Sequence, residues 1–278
     1  MNKIKKVYIM TDLEGVAGVL DFENWCTPSS RYYEVAKEFL TMEVNSCIEG
    51  LFEAGVEEIT VLDGHGPGGI NVKLLDSRVK LQRGWPRVFA DFFIDTSYDA
   101  VVWIGQHAKA GSEYAHLPHT QSFNYIDLSV NGISIGELGQ AAMCASELGI
   151  RAILAVGDNA LTIEAKNLIP GIETLAVKWG LTPGKGDECS AEEYAKRNIS
   201  AIHLHPLKVR ELIKESAFKS VKRAENENFG LIPLKPPFER IAIFRPDAQN
   251  LAKRISIEKH PKSVIELFNL PFSPKPFE

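Results

Sequence analysis

The segment Lys6–Gly18, KVYIMTDLEGVAG, decides how the chain is read. KVYIM is a short apolar run of the kind that forms a buried strand. It runs directly into Thr11-Asp12-Leu13-Glu14-Gly15, so two acids one residue apart leave the strand at its C-terminal end. Alone, such acids are ordinary turn residues, and their meaning depends on what else reaches the same place. Outward from this segment, helix-like and strand-like patterns alternate. Residues 31–55 carry Val35, Phe39, Leu40, Val44, Cys47 and Leu51 near helical spacing, and Gly55 stops the run. EEITVLDG (57–64), YDAVVWIG (98–105), RAILAVGD (151–158) and ETLAVKWG (173–180) read as strands, the unbroken apolar runs as strands buried on both faces. GELGQAAMCASELG (136–149) and NALTIEAKNLIPG (159–171) read as helices, and the alternation in SFNYIDLSVNG (122–132) predicts an edge strand or hairpin arm.

This order implies an α/β fold: a three-layer, mostly parallel sheet with helices on both faces and sites at the C-terminal strand ends. Near Trp179 the texture changes. WGLTPGKGDECSAEE (179–193) is polar and carries glycine and proline, which predicts a loop or lid. An amphipathic helix is expected from Leu207 to about Arg223, a strand over ERIAIF (239–244), and short helices over DAQNLAKRI (247–255) and SVIELFNL (263–270). The expected organisation is an α/β domain over 1–180 that carries the site and a smaller C-terminal α+β portion over 181–278, serving as an oligomerisation element or pocket lid.

Composition narrows the function. A chain of 278 residues with 45% hydrophobic and 24% charged residues can bury a substantial core. A net charge of -5 gives no basic field for nucleic acid. No apolar run reaches the roughly 20 residues of a membrane helix, and MNKIKKVYIM lacks the apolar stretch of a signal peptide. A cytoplasmic protein with no nucleic-acid or membrane partner is expected. The cysteines Cys26, Cys47, Cys144 and Cys189 are scattered, without a C-x-x-C pair, which argues against a disulfide framework.

Metal-capable residues recur at the predicted strand ends. Asp12 and Glu14 follow the first strand, His65 sits in DGHGPGG after the second, His107 in GQHAKAG after the third, and Glu137 opens the small-residue helix. Each has a plain alternative: turn acids, a backbone-bonded histidine, an acid favoured in a helix first turn. At one sheet edge they would instead converge. Clustered, Asp12, Glu14 and Glu137 would repel one another unless cations were present, and two divalent ions supply that charge. Mixed histidine and carboxylate ligands suit zinc. If the segment is extended, Asp12 and Glu14 point to the same side and reach ions about 3.5–4 Å apart. HLPHTQS adds His116 and His119 as candidate proton carriers near neutral pH. His203 and His205 in HLH read as capping or surface residues, and His260 as a solvated loop residue. GHGPGG also has the makings of a backbone anion cradle, although it lacks the lysine of a phosphate-binding loop.

In order and spacing, TDLEG, DGHG, GQHAKAG…HTQS, VNGISIGELG and AVGDNALTIEAKNLIPGIETLAVKWG resemble the zinc-dependent D-aminopeptidases of the DppA type. The resemblance is close over roughly 5–180 and looser beyond. It implies a binuclear zinc aminopeptidase that releases N-terminal amino acids, D-amino acids included, from short peptides. It places two Zn2+ ions per chain on Asp12, Glu14, His65, His107 and Glu137, with Asp12 as the bridge, and assigns the catalytic histidine to His119, since HTQS carries the match. It also implies a homo-oligomer, a decameric ring. The sequence departs from the family pattern at Leu62-Asp63, where Asn-Asp is usual, and in a longer connection over 180–205. The same acids and histidines would also serve another two-metal hydrolase, acting on a phosphoester or a non-peptide amide. A non-enzymatic anion-binding module is the third reading.

Overall fold

The computed structural model describes residues 3–84 and 94–277. Among the described residues seven strands form the main sheet: β1 (Lys6–Thr11), β2 (Glu58–Leu62), β3 (Lys80–Gln82), β4 (Ala100–Gln106), β7 (Arg151–Asp158), β8 (Glu173–Gly180) and β9 (Ala201–His203). Their order is β3-β2-β1-β4-β7-β8-β9, parallel throughout except for the last pair. This is the α/β architecture the alternation predicts. Strands β1, β2, β4 and β7 read as continuous apolar runs because each serves two cores. In β1, Val7 and Ile9 join one cluster and Tyr8 and Met10 the other; in β4 the same split separates Val102 and Ile104 from Val101 and Trp103.

Helix α2 (Tyr33–Glu53) and helix α6 (Pro206–Asn226) pack on each other over the first cluster. Helices α3 (Glu137–Glu147) and α4 (Asn159–Leu168) cover the opposite face. The chain leaves β1 toward one face and β4 toward the other, so the loops after these two neighbouring strands diverge. That is the switch point, where open α/β sheets form their crevices.

A second sheet is antiparallel, in the order β12-β11-β10-β5-β6, from β5 (Tyr125–Val130), β6 (Ile133–Ser134), β10 (Phe238–Phe244), β11 (Arg254–His260) and β12 (Lys275–Pro276). The alternating segment near 125 therefore belongs to this smaller sheet; it is not at the edge, since β10 and β6 flank it, but it is the hairpin arm the alternation also predicts, joined to β6 through Asn131 and Gly132. Residue 180 ends β8, and both sheets draw strands from either side of it. Helix α7 (Val264–Asn269) packs on β10, β11 and α3.

The helix expected over 247–255 is absent; the segment is a turn that runs into β11. The Asp247 carboxylate accepts hydrogen bonds from the Gln249 and Asn250 backbone N–H groups and from the Asn250 amide, a local arrangement that competes with a helix. The Pro-rich segment after Leu270 adds a strand, since β12 pairs with β11. The polar stretch after Trp179 contains a short helix, α5 (Ala191–Arg197), with a full capping box between Ser190 and Glu193.

Two glycines let the exits of β1 and β4 touch. Gly15 N–H donates to the Gly105 carbonyl at 2.8 Å, and Asp12 N–H donates to the Ile104 carbonyl at 3.0 Å. A Cβ on Gly15 would lie 2.0 Å from the Gln106 carbonyl oxygen; one on Gly105, whose φ is +76°, would lie 2.1 Å from the Asp12 carbonyl oxygen. Gly66, in the next loop, has nothing within 4 Å of such an atom. Gly15→Ala is therefore expected to cost about 1–3 kcal/mol of stability, and Gly66→Ala to stay within about 0.5 kcal/mol. Urea unfolding of the two variants beside the parent protein measures the difference.

Candidate metal centre

The exits of β1, β2 and β4 and the start of α3 enclose a cavity of about 290 Å3, lined among others by Asp12, Glu14, His65, Gln106, His119 and Glu137. Asp12, Glu14 and His65 offer ligand atoms within 4.8 Å of one another, and so do His107, His119 and Glu137. The two groups meet where Asp12 Oδ2 lies 3.1 Å from His107 Nε2. All six residues named from the sequence are thus brought together. Asp12 and Glu14 converge for a reason other than strand alternation. The chain already turns after Thr11, with Val16 N–H bonded to the Leu13 carbonyl, and the turn brings both carboxylates to the cavity.

Hydrogen bonds fix the imidazoles. His107 Nδ1 lies 3.0 Å from the Ala108 carbonyl, which can only accept, so Nδ1 carries the proton. Nε2 then faces Asp12, with Glu137 Oε1 at 3.5 Å, and has no hydrogen-bond partner among the described residues. An imidazole lone pair facing two carboxylates is tolerable only with a positive charge between them, a proton or a metal ion. Glu14 Oε2 is likewise buried and unpartnered. His65 Nε2 lies 3.2 Å from Glu14 Oε1. His119 Nδ1 donates to the Leu117 carbonyl at 2.9 Å, its ring stacks on His107 at 3.8 Å between centroids, and its Nε2 is 3.8 Å from Glu137 Oε1.

The charge balance leaves the protein alone under tension. Burial and the neighbouring Glu14 push the Asp12 carboxyl up to about 7. Burial would lower His65, but Glu14 outweighs it and raises the ring to about 9. Burial also acts against a charged His107, yet Glu137 and Asp12 hold it well above its usual range. Burial and the positive His107 ring lower His119 to about 4, so that ring is neutral near pH 7. Protons thus substitute for the cations that this donor set calls for. Three carboxylates, buried imidazoles and orphaned donor atoms fit divalent ions.

Sequence reasoning missed the groups that hold these ligands. Gln106 donates to Asp12 Oδ2 at 2.8 Å. Asp158, the N-cap of α4, accepts from the N–H groups of Leu161, Ala108 and His116, and so pins both histidine-bearing segments. Glu164 accepts from Lys109 N–H and Gly136 N–H, tying the His107 loop to the start of α3. Buried Lys178 donates to the carbonyls of Glu14 and Val16. The only sequence signal for these was polar residues inside apolar elements.

Other expectations sort cleanly. His116 turns away, its Nε2 3.0 Å from the Leu20 carbonyl, and burial keeps it neutral. His203 Nδ1 accepts from Gly18 N–H, and His205 caps α6 by accepting from Leu207 N–H. His260 ends β11 and accepts from Ser263 N–H, so it is bound to backbone and is not a loop residue. Cys144 is core. The GHGPGG loop is filled from within: Asp63 Oδ1 accepts from the Gly69 and Ile70 N–H groups, and Gly68 N–H donates to the His65 carbonyl. Those donors are not available to an external anion.

A family model described as D-aminopeptidase matches residues 5–259. The chain belongs to the D-aminopeptidase family. A D-aminopeptidase of Bacillus subtilis (strain 168) is 29% identical over 175 residues, which is 62% of this chain and 63% of that relative, so the alignment spans just under two thirds of the relative's length. The fold is similar to that of a solved structure described as a Zn-dependent D-aminopeptidase, DppA from Bacillus subtilis, a self-compartmentalizing protease. The TM-score is 0.76 and the identity 22%, over 95% of this chain and 94% of that one. Among the described residues no helix is long and apolar enough to cross a membrane.

Asp158→Ala removes the acceptor of three backbone N–H groups at once. It is expected to cost at least about 2 kcal/mol, with Asp158→Asn, which keeps one acceptor oxygen, losing less. Urea unfolding of chelator-treated protein separates this from any loss of metal-linked stability.

Proposed function

We propose that this protein is a binuclear zinc aminopeptidase that removes N-terminal residues, D-amino acids included, from short peptides. One observation carries the reading: two groups of three metal-capable side chains, Asp12–Glu14–His65 and His107–His119–Glu137, meet at the 3.1 Å Asp12–His107 contact over a single cavity. Asp12, Glu14, His65, His107 and Glu137 would hold the ions, with Asp12 shared. Bound zinc would supply a Lewis acid for the scissile carbonyl and a water of lowered pKa.

The chain's own residues do the rest. Gln106 orients the shared carboxylate through its bond to Asp12 Oδ2. The Gln121 N–H, bonded to Glu137 Oε1 at 2.7 Å, fixes the carboxylate of Glu137 beside His107. Met10, Phe22 and Pro67 form apolar walls that limit water around the scissile bond. His119 lines the cavity with its Nδ1 proton committed to Leu117, which leaves a neutral Nε2 to take a proton from the attacking water and deliver it to the leaving nitrogen. The described lining contains no lysine or arginine, as suits a peptide better than a phosphoester. Assembly into a decameric ring in the cytoplasm belongs to the same proposal; its support is the family and the self-compartmentalizing character of the structural relative.

Release of amino acids from D-Ala and L-Ala di- and tripeptides, before and after chelation, tests the activity. Hydrolysis is expected to vanish with the metal and return with Zn2+; undiminished turnover in verified metal-free protein would refute it. His119→Ala is expected to keep its metal and lose about 10²–10⁴-fold in kcat. Metal loss in that variant would make His119 a ligand instead.

A further inference from the structure

The ligand-lined cavity does not end at His119. A second cavity of about 390 Å3 adjoins it, and Phe22, His119 and Gln121 line both. On its far side stands α5, the helix inside the long connection after Trp179. Ala191 and Ala195, one turn apart on α5, line this space together with the exposed Glu192. Phe22 and Phe123 line it as well. The Phe123 ring is tilted against His119 at 4.6 Å between centroids and meets Phe22 edge-on at 5.3 Å. Tyr194, on α5 itself, meets Phe123 edge-on at 6.5 Å between centroids, and its hydroxyl accepts a hydrogen bond from Gly111 N–H. Two small residues and two aromatic rings around one space leave a slot for a flat apolar group.

The slot has a direction. His119 lines both cavities, its ring stacked on the candidate ligand His107 at 3.8 Å and tilted against Phe123 of the second cavity at 4.6 Å. In the proposed reaction His119 delivers its proton to the leaving nitrogen, so whatever is attached to that nitrogen lies on the side of the second cavity. The inference rests on that reading of the reaction and adds to it a class of substrate.

We propose that the cavity between α5 and the Phe22–Phe123 wall is the subsite for the side chain of the second residue of the peptide, and that it selects a large apolar or aromatic side chain there. Small residues at 191 and 195 make the room, and Phe123 supplies the face. Ala195 sets the depth of the slot: a large side chain at this position would occupy the volume that the substrate requires.

The test uses alanyl-X amides with X = Gly, Leu or Phe, in the D- or L-alanyl series, whichever the zinc-loaded protein cleaves faster. The expected kcat/KM for X = Phe exceeds that for X = Gly by about 10–100-fold. In Ala195→Trp, which fills the slot, the Phe/Gly ratio falls toward unity. Phe123→Ala lowers the same ratio by removing the wall, and serves if the tryptophan variant does not fold. Alanine released at equal kcat/KM from all three amides overturns the subsite while leaving the aminopeptidase reading intact. So does a Phe/Gly ratio unchanged in folded Ala195→Trp and in Phe123→Ala. No release from any peptide refutes the aminopeptidase reading, and the subsite falls with it.

Discussion

Three carboxylates around one small, buried cavity cannot all remain ionised without positive charge among them. Asp12, Glu14 and Glu137 impose this constraint, and the surroundings of the site answer it. In the protein alone, protons take the part of the missing charge: Asp12 is pushed up to about 7, and His65 is raised to about 9. His107 Nε2, 3.1 Å from Asp12 and 3.5 Å from Glu137, and the buried Glu14 Oε2 are donor atoms that metal ions would take in place of those protons. Divalent cations meet the same demand with fixed geometry, and the donor types suit them.

Holding mutually repelling groups in place takes rigid backbone. The sheet provides it at the switch point, where β1 and β4 are neighbours and their exits diverge. Gly15 and Gly105 allow those exits to touch through backbone. Behind the ligands a second tier of buried charge works on backbone alone. Asp158 and Glu164 gather N–H groups from the histidine-bearing loops and from the start of α3, while Lys178 gathers carbonyls from the acid-bearing turn. Donors meet carboxylates and acceptors meet an ammonium, so each of these charges is buried with partners.

The alternation of patterns made the main sheet legible, and the candidate ligands were legible because Asp12, Glu14, His65 and His107 stand just past strands and Glu137 opens a helix. The supporting tier was not. Asp158 and Glu164 act on N–H groups some 50 residues away in the chain, and no local pattern records that. β5 alternates in sequence as a half-exposed strand does, yet all of it but Asp127 is buried, and its period could not say which sheet it joins or that β10 flanks it. At 247–255 the apolar spacing suggested a helix, but the Asp247 side chain captures the first N–H groups and the chain turns into β11. The pair His116 and His119 was ambiguous in sequence. The fold separates them by direction: one ring bonds to the Leu20 carbonyl, and the other faces the ligands.

Metal content per chain is the most direct test of the central claim. Elemental analysis of the protein, purified without added chelator and dialysed against metal-free buffer, is expected to find two divalent ions per chain, and one or none in Asp12→Ala. A parent protein that retains none after incubation with Zn2+, or an Asp12→Ala variant that still holds two, would contradict an account in which Asp12 joins two metal sites.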